Sequence, residues 1–157
     1  MAADRETREK VLAAVPQQEP FRFIDEILEL DTEHIVGAYR FKEDEYFYRG
    51  HFPERPITPG VILVEAMAQT GVVAFGLYLV MEQGREEELR KGNMTTLFTV
   101  IEVMEFAGMV SPGERVIIRG EKVYFRKGNL KAKVSMEREN GEPVASGVLA
   151  GMGVSLK

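Results

Sequence analysis

The sequence predicts an α+β domain, with one long apolar helix against a curved antiparallel sheet of about five or six strands. Three observations carry that prediction. Gly60 to Met81 is apolar apart from Glu65, Gln69 and Thr70, a run too long for a strand and hydrophobic on every side. The last third of the chain is β-patterned segment after β-patterned segment, separated by turn chemistry. Two further β-patterned segments precede the apolar run.

In chain order, MAADRETREKVLAAV carries charges of both signs and predicts a short amphipathic helix over about residues 4–14. It lacks the apolar core of a signal peptide. Pro16 to Pro20 form a turn, FRFIDEILEL a first strand and HIVGAYRF a second. EDEYFYRGHFPERPITPG is irregular, and Pro59 and Gly60 open the long helix. That helix fades at the charged run EQGREEELRKGN. MTTLFTVIEVMEF, ERVIIRGEKVYFRKG, LKAKVSMEREN and VASGVLAGMGVSL then read as four strands. The turns between them fall at Ser111-Pro112-Gly113, Lys127-Gly128-Asn129 and Asn140-Gly141. Strands joined so tightly are antiparallel. Gly71 and Gly76 are expected to let the sheet approach the helix closely, each at a propensity cost of roughly 1 kcal/mol relative to Ala.

A chain of 157 residues supports one domain, here residues 1–157, with a sizeable core. Its 45% hydrophobic and 29% charged content is that of a soluble globular protein. A net charge of −5 argues against a duplex nucleic-acid partner, which needs clustered Lys and Arg. The absence of cysteine excludes disulfides, thiolate metal sites and thiol catalysis, and fits a reducing compartment. Gly60 to Met81 has the length of a membrane span. An ionised Glu in lipid is costly, however, and no basic cluster flanks either end, so a buried core helix is the better reading.

The candidate chemistry lies in YRGHFPERPITPGVILVEAMAQTG. His51 suits a general base, since an imidazole can take and return a proton at cellular pH. Pro53, Pro56 and Pro59 each fix φ and stiffen its loop. Phe52–Pro53 is the candidate cis bond. Backbone N–H groups at the helix start, at Gly60, have no intrahelical partner and suit a developing oxyanion. Glu65 and Gln69, four apart, share one helix face, and an apolar setting would raise the pKa of Glu65. His34, at a strand start, reads as a surface residue. Composition and spacing alone stop at a candidate acid–base pair.

GHFPERPITPGVILVEAMAQTG closely resembles the signature of the 3-hydroxyacyl-acyl carrier protein dehydratases of bacterial fatty-acid synthesis. PFRFIDEI and the SPGERV turn extend the resemblance over nearly the whole chain. It implies the hot-dog fold, a long helix wrapped by an antiparallel sheet. It also implies dehydration of a 3-hydroxyacyl thioester to the trans-2-enoyl form, with no cofactor or metal. His51 would then be the base that removes the α-proton, and Glu65 would help expel the β-hydroxyl. The amide of Gly60, with that of Val61, would polarise the thioester carbonyl, and Gln69 would steady Glu65 or its partner. Glutamate at position 65 is the form of the dehydratase-only branch. The resemblance implies a substrate on acyl carrier protein or coenzyme A and a cytoplasmic homodimer with shared sites, which trimers of dimers would extend.

The departures from that pattern concern charge. Basic residues usual around the first strand are replaced by Gln17, Gln18 and Glu26. The third strand ends in Glu105-Phe106-Ala107-Gly108 where the pattern is basic. A charged insertion, GREEELRKGN, stands near the place of a gating loop. These put carrier docking in question and leave the chemistry intact. Met67, Val72 and Phe75 are candidates for lining an acyl channel. Two rivals remain: a thioesterase on the same fold, which would tolerate loss of His51, and a non-catalytic binding homologue.

Overall fold

The structure, a computed structural model, describes residues 1–87 and 94–155. Helix α1 spans Arg5–Ala14, with Asp4 as its N-cap accepting the Thr7 amide at 2.8 Å. Strands β1 (Glu26–Leu30) and β2 (His34–Arg40) follow. A 3₁₀ turn covers Tyr46–Arg49. The long helix α2 runs Gly60–Glu82. Strands β3 (Met94–Phe106), β4 (Arg115–Arg126), β5 (Asn129–Arg138) and β6 (Pro143–Ser155) complete the sheet. Its order is β1-β2-β4-β5-β6-β3, and every neighbouring pair is antiparallel. The expected α+β, helix-in-sheet arrangement is what forms.

One boundary differs markedly from expectation. The first strand begins at Glu26 rather than Phe21. Residues 21–23 are taken instead by hydrogen bonds to the Gln69 side chain, which leaves them outside the ladder. The charged run after α2 extends into residues 88–93, outside the described residues, as does Leu156 at the end of the last predicted strand. The turns fall where glycine predicts them, with φ of +87° at Gly113, +77° at Gly128 and +90° at Gly141.

Helix α2 is buried because it is apolar all round. Its most apolar stretch is 72% buried. One half packs with Phe23, Tyr39, Phe41, Ile118 and Met136. The other packs with Val11 of α1, Leu30, Ile35 and Leu130. Between them, Gln69–Ala74 is wound as a π-helix with all six residues buried. Only one of the two expected glycine contacts exists. A Cβ on Gly71 would lie 2.5 Å from Val134 Cγ1, whereas on Gly76 it would meet only Leu130 Cδ2 at 3.8 Å.

Among the described residues, strand β3 has one bonded neighbour, β6, and forms an edge of the sheet. Leu97, Phe98, Val100, Ile101, Val103 and Phe106 are all exposed on it. A bulge between Glu102 and Glu105 holds Val103 at φ +45°.

Candidate active site

The loop carrying His51 is tied down before the helix begins. The His51 amide donates to the Phe47 carbonyl (3.0 Å), the Ile57 amide to the His51 carbonyl (2.9 Å), and the Thr58 amide to Val110 (2.9 Å). Tyr48 and Thr58 hydroxyls bond at 2.7 Å beneath it, and burial pushes the Tyr48 phenol up to about 12. The cis peptide in this loop is His51–Phe52, one bond before the candidate Phe52–Pro53. The His51 ring, half-buried, stacks on Phe52 at 4.2 Å.

His51 Nδ1 lies 2.8 Å from the Ile57 carbonyl oxygen. A carbonyl only accepts, so Nδ1 carries the proton and donates it. In the neutral ring the lone pair is then on Nε2, which is the form a general base requires.

At the start of α2, Pro59 occupies the cap position and its carbonyl accepts the amides of Ile62 (2.9 Å) and Leu63 (3.2 Å). The amides of Gly60 and Val61 belong to the first turn, which has no intrahelical acceptor for them. Val61, in that turn, is 77% exposed. Gly60 stands against the Phe106 ring, whose nearest atom would be 3.3 Å from an added Cβ.

Glu65 is half-buried on the next turn. Desolvation raises its pKa above the ordinary carboxylate value, and a hydrogen bond from Gln69 opposes the rise. Gln69 is fully buried and fully used: Nε2 donates to Glu65 Oε2 (2.9 Å) and to the Phe21 carbonyl (2.9 Å), while Oε1 accepts the Phe23 amide (2.7 Å). Those three bonds fix which end of the amide faces Glu65. Glu65 opens into a narrow pocket of about 40 Å³, lined also by Gln17, Val72, Val73, Thr96 and Phe98.

The candidate residues therefore fall into two groups within the chain. Glu65 and Gln69 come together, and the His51 loop runs directly into the Gly60 helix start. His51 is not among the residues lining the Glu65 pocket.

Comparison with known proteins bears on this arrangement. Residues 15–146 match the model of the FabA-like domain. Over 142 residues, 90% of each chain, the sequence is 39% identical to the 3-hydroxyacyl-acyl-carrier-protein dehydratase FabZ of Acetivibrio thermocellus. It is 33% identical to the FabZ of Caldicellulosiruptor bescii, over 90% of this chain and 94% of that one. The chain belongs to the FabA-like family. Among solved structures, the dehydratase heterocomplex ApeI:P of Xenorhabdus doucetiae superposes with a TM-score of 0.73 at 12% identity, over 92% of this chain and 90% of that one. A mutant thioesterase of Pseudomonas aeruginosa gives 0.61, also at 12% identity, over 94% of each chain. At that identity the two structures speak for the fold alone.

The remaining candidates divide within this FabA-like frame. Val72 lines the Glu65 pocket, whereas Met67 and Phe75 are fully buried in the core and line none of it. His34 sits at the start of β2 in ion pairs with Glu29 (3.0 Å) and Asp31 (2.9 Å); its bond to Glu29 foremost raises its pKa. Glu26, at a position of charge departure, is held by Arg115 at 2.7 Å. Sequence reasoning noted Gln17 only as a missing cation. The structure puts it in the pocket with Glu65, and the signal that it belongs there is long-range: Gln69 draws residues 21–23 down onto α2.

Proposed function

We propose that the protein is a 3-hydroxyacyl-acyl carrier protein dehydratase, eliminating water from a 3-hydroxyacyl thioester to give the trans-2-enoyl thioester. The observation that carries this reading is the pairing of opposite proton roles. In its neutral form His51 presents a free lone pair on Nε2, because Nδ1 donates to Ile57, and Glu65 is biased toward its protonated form by burial.

In that reading the Cα–H proton passes to His51 Nε2. Its electron pair moves into the thioester carbonyl, as an enolate accepted by the amides of Gly60 and Val61 at the positive end of α2. The pair then returns to form Cα=Cβ as the Cβ–O bond breaks. Glu65 supplies the proton with which the hydroxyl leaves as water, and a proton returned from His51 through solvent restores both groups. Gln69 keeps Glu65 aimed at the leaving oxygen.

The working unit is a homodimer. Strand β3 offers an unpaired edge with exposed Leu97, Phe98, Val100 and Ile101, and Phe98 and Thr96 of that strand line the Glu65 pocket. A second copy paired along this edge covers the apolar surface and brings its His51 to the Glu65 of the first. The buried helix and the thioester chemistry go with a cytoplasmic enzyme that has no membrane span.

The test follows enoyl-thioester absorbance with 3-hydroxyacyl substrates on acyl carrier protein and on coenzyme A. Wild-type protein turns over, and His51→Ala is slower by about 10²–10⁴-fold. Release of free thiol in place of enoyl product, undiminished in His51→Ala, would move the assignment to a thioesterase.

A further inference from the structure

Two buried side-chain polar atoms lack a hydrogen-bond partner among the described residues, Gln17 Oε1 and Thr70 Oγ1. Thr70 is packed against the backbone of Gly37, where an added Cβ would be 2.9 Å away. Gln17 is different, because it lines the pocket into which Glu65 opens. A buried carbonyl acceptor left unpaired is costly, and native structures rarely keep one without a use.

The position of Gln17 is built. Arg22 reaches back so that Nη1 donates to the carbonyls of Val15 and Gln17 (3.2 Å each) and Nη2 to Leu12 (2.7 Å), which ties the segment to the end of α1. On either side of Arg22, the Gln69 side chain holds Phe21 and Phe23 onto α2. The segment from Val15 to Phe23 is thus fastened at both ends above Glu65.

Resting on the dehydratase reading above, we infer that Gln17 is a substrate-contacting residue whose Oε1 accepts the hydrogen of the β-hydroxyl, fixing which C3 epimer is dehydrated. The geometry is a two-point hold. The hydroxyl oxygen takes the proton of Glu65, and the hydroxyl's own hydrogen goes to Gln17. When Cβ–O breaks, the water formed has one hydrogen on Gln17 Oε1 and the other on the Glu65 carboxylate. In the reverse direction those two acceptors orient the water, a lone pair facing Cβ of the enoyl group. The pocket of about 40 Å³ has room for it, since roughly 10–15 Å³ is enough to admit a water. The opposite epimer offers its oxygen to only one of the two groups.

The test compares Gln17→Met, which keeps length and bulk without the acceptor, with Gln17→Glu, which keeps an acceptor. Each is assayed for kcat and KM in both directions on the two C3 epimers, beside a thermal melt. High-resolution crystal structures of wild type and Gln17→Met are read for an ordered water between residue 17 and Glu65. The expected result is a kcat about tenfold lower in Gln17→Met, the loss of one hydrogen bond, with KM and melting temperature unchanged. Epimer preference falls by a similar factor, and the water is lost. Gln17→Glu retains the preference.

Wild-type kcat and epimer preference in Gln17→Met would overturn the inference while leaving the dehydratase reading standing. Equal loss in both variants with a lowered melting temperature would make Gln17 structural and overturn it as well. A wild type that turns over neither epimer, but shows the water and loses it in Gln17→Met, would remove the dehydratase reading and keep Gln17 as a water ligand.

Discussion

Gln69 donates to Glu65 Oε2 at 2.9 Å from one turn further along the same helix, and its two other hydrogen bonds go to Phe21 and Phe23. One buried amide therefore links the candidate acid to the segment that covers it. Gln69→Leu leaves the Phe23 amide and Phe21 carbonyl without that partner, and should destabilise the fold by about 1–3 kcal/mol. It also removes the one interaction that lowers the pKa of Glu65, so that pKa should rise further. Urea denaturation measures the first effect and a carboxyl infrared titration the second. An unchanged Glu65 titration would show that the 2.9 Å contact does not govern its proton.

Glu65 makes stability depend on pH with a definite sign. Its folded pKa is raised by burial above the ordinary value of 4.5. Between those two values the folded chain holds a proton that the unfolded chain has released. Stability relative to a Glu65→Gln variant is then greatest below pH 4.5, falls as pH rises through the folded pKa, and is level above it. Denaturation curves of both proteins across this range, at one protein concentration, check it. The same variant should lose about 10²–10⁴-fold in turnover, because an amide supplies no proton to the leaving hydroxyl.

If each site draws His51 from one copy and Glu65 from the other, two inactive variants should repair each other. Co-expressed His51→Ala and Glu65→Gln chains form mixed dimers in which one site lacks both groups and the other has both. Random pairing through a self-complementary interface restores about a quarter of wild-type activity. Ile101→Lys, placing charge on the exposed β3 edge, should instead give inactive monomers by sedimentation. Activity in a monomeric Ile101→Lys protein would refute the shared site.

Much of this was legible in the residues, for reasons that differ by element. The apolar run from Gly60 forces a buried helix whatever surrounds it, and Gly113, Gly128 and Gly141 each mark a turn of positive φ. His51 and Glu65 were legible as candidates because one stands in a proline-stiffened loop and the other on an apolar helix face. The π-wound segment, the Val103 bulge and the place of Gln17 in the Glu65 pocket were not legible. Each depends on partners far off in sequence: the sheet wrapped over Gln69–Ala74, the register of β6 against β3, and the stapling of residues 15–23 by Arg22 and Gln69. Local pattern carries no record of such contacts.

The two helix glycines separate packing from propensity. At Gly71, an added methyl would sit 2.5 Å from Val134 Cγ1 and 3.9 Å from the Gly120 backbone. The facing Gly120 is as constrained, with an added Cβ 3.0 Å from Gly71 Cα, so neither backbone has room to withdraw. Gly71→Ala should therefore destabilise by about 1–3 kcal/mol through overpacking, despite its better helix propensity. At Gly76 the only neighbour among the described residues is Leu130 Cδ2 at 3.8 Å, an ordinary contact. Gly76→Ala should stabilise by up to about 1 kcal/mol, because the propensity gain meets no opposing clash. Thermal melts of the two variants beside wild type decide it. Shifts of the same sign would mean that the close approach of helix and sheet at Gly71 and Gly120 does not limit this core.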